Sequence, residues 1–248
     1  MARWGIKSLQ MSKGLRIFIC VSFILILSSN AYAVRDVGPL KAMVSVTSKE
    51  IIDKTEQRDI DLNIPVINGM RNSDFQDKLN SMFEEKVIKF AEDIQDFAKE
   101  DEEYAKEHNF PFIGYAAYTR FEVTYIEDDL ISLYITYYSY TGGAHGMTYR
   151  EYYNIDLKSE TLLELKDLFD IAADYKTLIN QEIRKQMEKE PERYFKEFLS
   201  TASISDNHSY YFTDGGIVIY FDLYEIAPYA SGIPEFEIPF SLLEAIMR

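Results

Sequence analysis

The chain is poor in the residue types that most enzyme classes need. It has 248 residues and one cysteine, Cys20. That cysteine lies in an apolar run near the start, preceded by bulky Phe18 and Ile19, so it does not read as a lipidation site. A lone cysteine excludes a CxxC redox pair and a disulfide framework. Histidine is nearly as scarce: His108, His145 and His208 are the complete set, widely spaced, and a three-histidine zinc site would need all of them to converge. No zinc-protease helix signature, nucleophile elbow or phosphate-binding glycine loop occurs. Positive charge is also short, with 26 Lys and Arg against 41 Asp and Glu and a net charge of −15. Such an excess argues against binding a phosphate backbone or an anionic membrane surface. It favours attraction to a cationic partner, or simply solubility.

The first 33 residues differ in kind from the rest. Arg3, Lys7, Lys13 and Arg16 precede an apolar run, Ile17–Leu27, broken only by Ser22, and Ala31-Tyr32-Ala33 follows. A basic start, a short apolar run and small residues at a cleavage point describe a secretory signal peptide. The run is short for a membrane span, which needs roughly 20 residues. An uncleaved anchor facing outward is the alternative. Removal takes away Cys20 and four positive charges, leaving 22 basic against 41 acidic residues, a net of −19. A cysteine-free exported domain must hold together by its apolar core, and 16 Phe and 19 Tyr supply one.

The stretch Phe121–Leu157 organises the remainder. Phe121, Val123 and Tyr125 alternate up to an acidic turn at residues 127–129. Ile131, Leu133, Ile135 and Tyr137 then alternate against Ser132, Tyr134, Thr136 and Tyr138, and a period of two predicts paired strands. Strands are also predicted at Met43–Ser48, at Ile60–Ile67 (with Pro65 marking an edge or an end) and at Ile233–Ile238. Asp214-Gly215 predicts the turn of a hairpin from Tyr210 to Leu223. Ser73 and Gln76 predict a capped helix, carrying a stripe from Phe75 to Phe97 over about six turns. Glu100–Glu103 reads as a solvated helix end and loop. Asp174 predicts the cap of a second helix with Tyr175, Leu178, Ile179, Ile183 and Met187 inward. The expected fold is α+β: antiparallel sheets with two long helices packed on them, in two similar-sized halves sharing one core.

Candidate chemistry is sparse. Asp156, Asp170, Glu225 and Glu235 could form a glycosidase-like carboxylate pair, but so many acids make such pairings common. Two loops stand out instead. Thr141–Gly146 holds Gly142, Gly143 and His145, and adjacent glycines permit positive φ and close backbone approach. It reads either as a tight crossover or as a ligand-facing edge. Tyr224–Gly232 carries Tyr224, Glu225, Pro228 and Tyr229, and tyrosines on a stiffened loop are good contact anchors. The bland alternative is that these tyrosines cover the open end of a sheet.

Several runs resemble a known family. Tyr140–Gly146, Asn154–Leu157, Leu165–Phe169 and Phe221–Gly232 are similar to the extracytoplasmic domain of RsiV-type anti-sigma factors. Asn63–Gly69 resembles the domain preceding the catalytic part of PdaC-type peptidoglycan deacetylases. The resemblance implies residues 34–150 as a PdaC-associated domain and residues 151–248 as an RsiV-like domain, after a signal peptide at residues 1–33. It departs from the family in two ways. Only 16 residues precede the apolar run, where an anti-sigma factor carries a cytoplasmic sigma-binding segment, and no deacetylase domain is attached.

The resemblance implies a secreted or wall-associated, non-catalytic envelope domain. In the RsiV branch that domain is a receptor for lysozyme, which is strongly basic. The expected partner is therefore a cationic protein such as lysozyme, with cell-wall glycan as the alternative and a carboxylate-dependent hydrolase behind both. Catalytic residues, metal, cofactor, a nucleic-acid partner and a membrane span after cleavage are not expected. The candidate contact residues are Gly142, Gly143, His145, Tyr224, Glu225, Pro228 and Tyr229.

Overall fold

The computed structural model describes residues 44–127 and 129–248. The expected signal peptide, Cys20 and the leader at residues 34–40 lie outside the described residues.

Alternation of apolar and polar residues builds a six-stranded sheet in chain order. It comprises β1 (Ser45–Lys54), β2 (Arg58–Asn68), β3 (Tyr115–Glu127), β4 (Leu130–Tyr140), β5 (Met147–Asp156) and the short β6 (Thr161–Leu162). All its pairings are antiparallel save β2 with β3, where Arg58–Asp61 run parallel to Tyr115–Tyr118. A parallel pair needs a crossover, and the helix α1 (Ser73–His108, 36 residues) supplies it. Pro65 does not end β2, and β2 is not the edge, which is β1. The proline is tolerated because it lies beyond the four residues that pair with β3.

The cap of α1 is Asn72, not Ser73: the Asn72 side chain accepts the Asp74 and Phe75 N–H groups. Gln76 turns back to accept the Met70 N–H instead of closing a capping box on Ser73. The helix also runs about three turns past Phe97, the end of the expected stripe, so the acidic run Glu100–Glu103 is helical. Left-handed Asn109 stops it, donating its N–H to the last-turn carbonyls. Leu79, Phe83, Val87, Ala91, Ile94 and Ala98 form the buried stripe. They pack on Ile60, Leu62, Ile64, Leu133, Ile135, Tyr137 and Tyr153 of the sheet.

The second half begins with α2 (Tyr175–Met187), capped by Asp174 as expected. A three-stranded antiparallel sheet follows: β7 (Tyr210–Thr213), β8 (Gly216–Tyr220) and β9 (Glu235–Pro239). The β7–β8 turn falls at Asp214-Gly215, as expected. Phe212, Ile217, Ile219, Phe236 and Ile238 meet Tyr175, Ile179, Ile183 and Met187 of α2 in a second cluster. The fold is thus mixed α+β with two sheets, but its buried apolar side chains form two clusters where one shared core was expected. The physical reason is the face of β4 and β5 turned away from α1. It presents Ser132, Tyr134, Arg150, Tyr152 and Asn154 to the second sheet, and these are polar or carry polar ends. Buried Ser132 donates to Asn154 Oδ1 at 2.6 Å and accepts the Phe212 N–H at 2.9 Å; Asn154 Nδ2 donates to the Tyr210 carbonyl at 2.9 Å. The sheets are joined by satisfied hydrogen bonds, which a buried polar face requires. The expected division between residues 150 and 151 falls inside β5.

Candidate functional site

The two loops singled out in sequence are brought together. The β4–β5 connection, Thr141–Gly146, stands at the end of the six-stranded sheet. Gly142 and Gly143 have φ of 89° and 92°, a region that glycine enters without strain. The Tyr140 hydroxyl donates to the Gly143 carbonyl at 3.0 Å and closes the loop. Gly146 is required for a different reason: a Cβ there would meet the Ser139 carbonyl oxygen at 2.4 Å.

The second loop leaves β8 at buried Phe221 and returns at β9. Ile226 and Ala227 anchor it inward, each 1% exposed. Pro228 precedes a single 3-10 turn, Tyr229–Ser231, and the Glu225 carboxylate accepts the Asp222 N–H at 2.8 Å. This anchoring lifts Tyr224 and Tyr229 outward. Tyr224 takes a φ of 68° and remains exposed. A non-glycine residue there costs roughly 1 kcal/mol.

The loops meet ring to ring. His145 stacks on Tyr229 with centroids 4.3 Å apart and planes 19° apart, and Tyr224 lies 5.8 Å beyond at 30°. His145 Nδ1 is 2.9 Å from the Gly146 carbonyl, to which the Tyr229 hydroxyl also donates at 3.4 Å. Beside this stack is an open pocket of about 370 Å³, lined by Thr148, Leu223, Tyr229, Ala230, Gly232 and Ile233. His145, Tyr229, Tyr224 and Pro228 therefore share one surface. Glu225 is a loop-forming residue, holding the Asp222 N–H, and Gly142 and Gly143 turn the loop that carries His145.

Behind the loops lies an aromatic and charged cluster that the sequence reading did not single out. Arg150 covers the Tyr134 ring at 4.3 Å and pairs with Glu235. Tyr152 stacks on Tyr211 with planes 7° apart, and Tyr220 donates to the Arg150 carbonyl at 2.9 Å. The hydroxyl of Tyr134 donates to Glu122. Burial pushes the Tyr134, Tyr152 and Tyr211 phenols well above their ordinary value, so all stay protonated donors. The signal was present in the polar-side alternation of β4 and β5, but only the partner sheet says what that face meets.

The carboxylates weighed as a hydrolytic pair are engaged separately. Asp156 accepts the Lys158 and Ser159 N–H groups; burial opposes its ionisation, but these bonds hold it below the ordinary carboxylate value. Asp170 pairs with Arg248 at 3.7 Å. Glu225 holds the Asp222 N–H and Glu235 pairs with Arg150. The histidines also stand apart in their packing. His108 stacks on Tyr104, His145 on Tyr229, and the His208 ring lies 4.5 Å from Phe221. Among the described residues no three His, Cys, Asp or Glu side chains are grouped to hold a metal ion. No helix among them is long and apolar enough to cross a membrane.

Comparison with known proteins agrees with this architecture. Residues 51–148 match the family model described as "Deacetylase PdaC", and residues 166–241 match "Protein of unknown function (DUF3298)". The chain is 27% identical over 215 residues to the anti-sigma-V factor RsiV of Bacillus subtilis, covering 84% of this chain and 72% of that protein. It is 25% identical over 191 residues to the peptidoglycan-N-acetylmuramic acid deacetylase PdaC of the same organism, covering 75% of this chain but 38% of that protein. A crystal structure of a DUF3298 family member from Bacteroides fragilis superposes with a TM-score of 0.67 at 22% identity, over 84% of this chain and 95% of that one. One from Pseudomonas aeruginosa gives 0.55 at 20%, over 84% and 94%. At these identities the structures establish the fold alone. The chain thus joins, in this order, a segment matching the PdaC family model and a segment matching the DUF3298 family model.

Proposed function

We propose that this protein is an extracytoplasmic, non-catalytic binding domain that takes a cationic protein such as lysozyme on its two converging loops. The observation that carries the reading is the stack of His145 on Tyr229, two residues far apart in the chain whose rings lie 4.3 Å apart. It makes one aromatic rim from two separately anchored loops, and rigid aromatics bind with little loss of side-chain freedom. The net charge of −15 supplies long-range attraction to a basic partner. The likeness to RsiV supports a receptor role outside the cytoplasm, and the likeness to PdaC is confined to a part of that longer protein.

Titration calorimetry with lysozyme at low ionic strength tests it. Binding is expected, with a loss of about tenfold or more on Tyr229→Ala, the magnitude of an interface anchor. Absence of heat at low salt would remove the proposal. A second reading rests on the same rim: Tyr224 and Tyr229 beside the 370 Å³ pocket offer flat faces of the kind that sugar rings cover. Co-sedimentation with purified peptidoglycan, lost on Tyr224→Ala, separates that reading from the first.

A further inference from the structure

Ten large apolar side chains are prominently exposed among the described residues, and six of them fall in the second half of α1, just past its cap or at the start of β5. They are Phe97 (57% exposed), Tyr104 (56%), Phe110 (62%), Ile113 (59%), Met147 (46%) and Tyr149 (42%). Topology brings these segments together: α1 ends, β3 begins and β5 begins at the same end of the sheet. Tyr149 contacts Phe90 of α1 with centroids 6.1 Å apart, and Met147 stands two residues before it on the same face of β5. At the far end His108 stacks on Tyr104 at 4.0 Å and faces Phe110 at 6.3 Å, extending the row of rings past the helix cap. Exposed apolar surface gathered in this way marks an interaction site.

The edge of the row is acidic. Helical neighbours lie three and four residues apart. Phe97 is therefore flanked by Asp93, Glu100 and Asp101, and Tyr104 by Glu100, Asp101 and Glu107. Glu100 and Glu107 are exposed and pair with none of the described cations. The two lysines of this stretch, Lys99 and Lys106, pair with Asp96 and Glu102. At about 100° per residue they stand on the opposite side of the helix. A second copy of this chain would set acids against acids, which its net charge of −15 disfavours. Phe97 and Tyr104 are two turns apart, about 10.5 Å along the axis. That is the spacing of anchors seven residues apart on a partner helix.

We propose that this flank of α1 is a second docking surface, separate from the two loops, for a cationic amphipathic helix of a partner protein. The partner's apolar face lies along Phe97, Tyr104 and Met147, and its Lys or Arg residues stand opposite Glu100 and Glu107.

Fluorescence anisotropy of the protein with a labelled Lys/Leu amphipathic peptide of about five turns tests this. A matched peptide with Glu for every Lys is the control. Expected are binding of the Lys peptide alone and a loss of about tenfold in the Phe97→Ser/Tyr104→Ser double variant. Both positions are more than half exposed, so the fold should survive, and an unchanged thermal midpoint checks it. The Glu100→Gln/Glu107→Gln variant is expected to bind about threefold more weakly, with a flatter salt dependence, and Tyr229→Ala to bind as well as the parent. Equal binding of the Glu peptide, or of the double serine variant, overturns the proposal. So does an equal loss on Tyr229→Ala, which would make the loops the site. Self-association in sedimentation that the serine variant abolishes would assign the flank to a second copy and overturn it too. The reading of the loops stands or falls separately, because lysozyme binding is read on Tyr229→Ala and peptide binding on the serine variant.

Discussion

The two faces of β4 do different work with the same backbone. Toward α1 it turns Ile131, Leu133, Ile135 and Tyr137, all nearly or wholly shielded from water. Toward the second sheet it turns Ser132 and Tyr134, whose polar atoms are each satisfied by a neighbour. The apolar face stabilises without direction, since it is governed by area. The polar face adds less net stability, because each hydrogen bond replaces one made to water. It does fix how the second sheet sits, because hydrogen bonds are directional and two of these cross to the Tyr210 carbonyl and the Phe212 N–H of β7. Stability and relative placement are thus assigned to opposite sides of one strand.

The comparison can be broken from either side. The largest effect is expected at Leu133, which is 0% exposed. Leu133→Ala should cost about 2–5 kcal/mol in urea unfolding, the range for truncating a buried leucine. A cost below about 1 kcal/mol would mean that the face beneath α1 is not the main source of stability. Next is Ser132→Ala, which leaves the Phe212 N–H without its acceptor and Asn154 Oδ1 without its donor. It should cost about 1–3 kcal/mol, and hydrogen exchange should quicken in β7 and β8 before it does in α1. Uniform quickening would show that the buried polar contacts do not govern placement.

A smaller effect concerns pH. Burial depresses the His208 pKa below its usual 6.5, partly offset by a backbone hydrogen bond and by Asp222. The folded state therefore disfavours the charged imidazole. The stability it contributes is complete above about 6.5 and is lost as pH falls through the lower folded value. His208→Phe should flatten the stability–pH curve below about 6.5, and an unchanged slope would contradict the assignment. The smallest effect is expected at Tyr224, exposed on its loop. Tyr224→Ala should change stability by no more than about 0.5 kcal/mol, whatever it does to binding.

Much of this was legible in the sequence, and the parts that were not have physical causes. The alternation of Ile131 through Tyr138 placed β4 correctly, since a period of two survives in any context. The Asp174 cap and the Asp214-Gly215 turn were readable because each is local chemistry. The start of α1 was missed by one residue because Asn72 and Ser73 are both good caps, and only coordinates show which side chain reaches the N–H groups. Its end was missed because Glu100–Glu103 breaks the apolar stripe; the helix continues through Ala105, which is small yet buried at 7% exposure. The two candidate loops could be named but not joined, since nothing local says that His145 will meet Tyr229. The Arg150 cluster was invisible for the same reason: its partners come from two sheets.

The parallel contact of β2 with β3 also sets an order of assembly. The β1–β2 and β3–β4–β5 hairpins close over short distances along the chain, which is quick. Joining them means bringing residue 58 beside residue 115 across the whole of α1. Loop closure over that span carries an entropic cost that the local hairpins avoid. Two ribbons should therefore appear early and stay apart until the long helix gives them a common surface, and their meeting should limit the rate at which the domain becomes native.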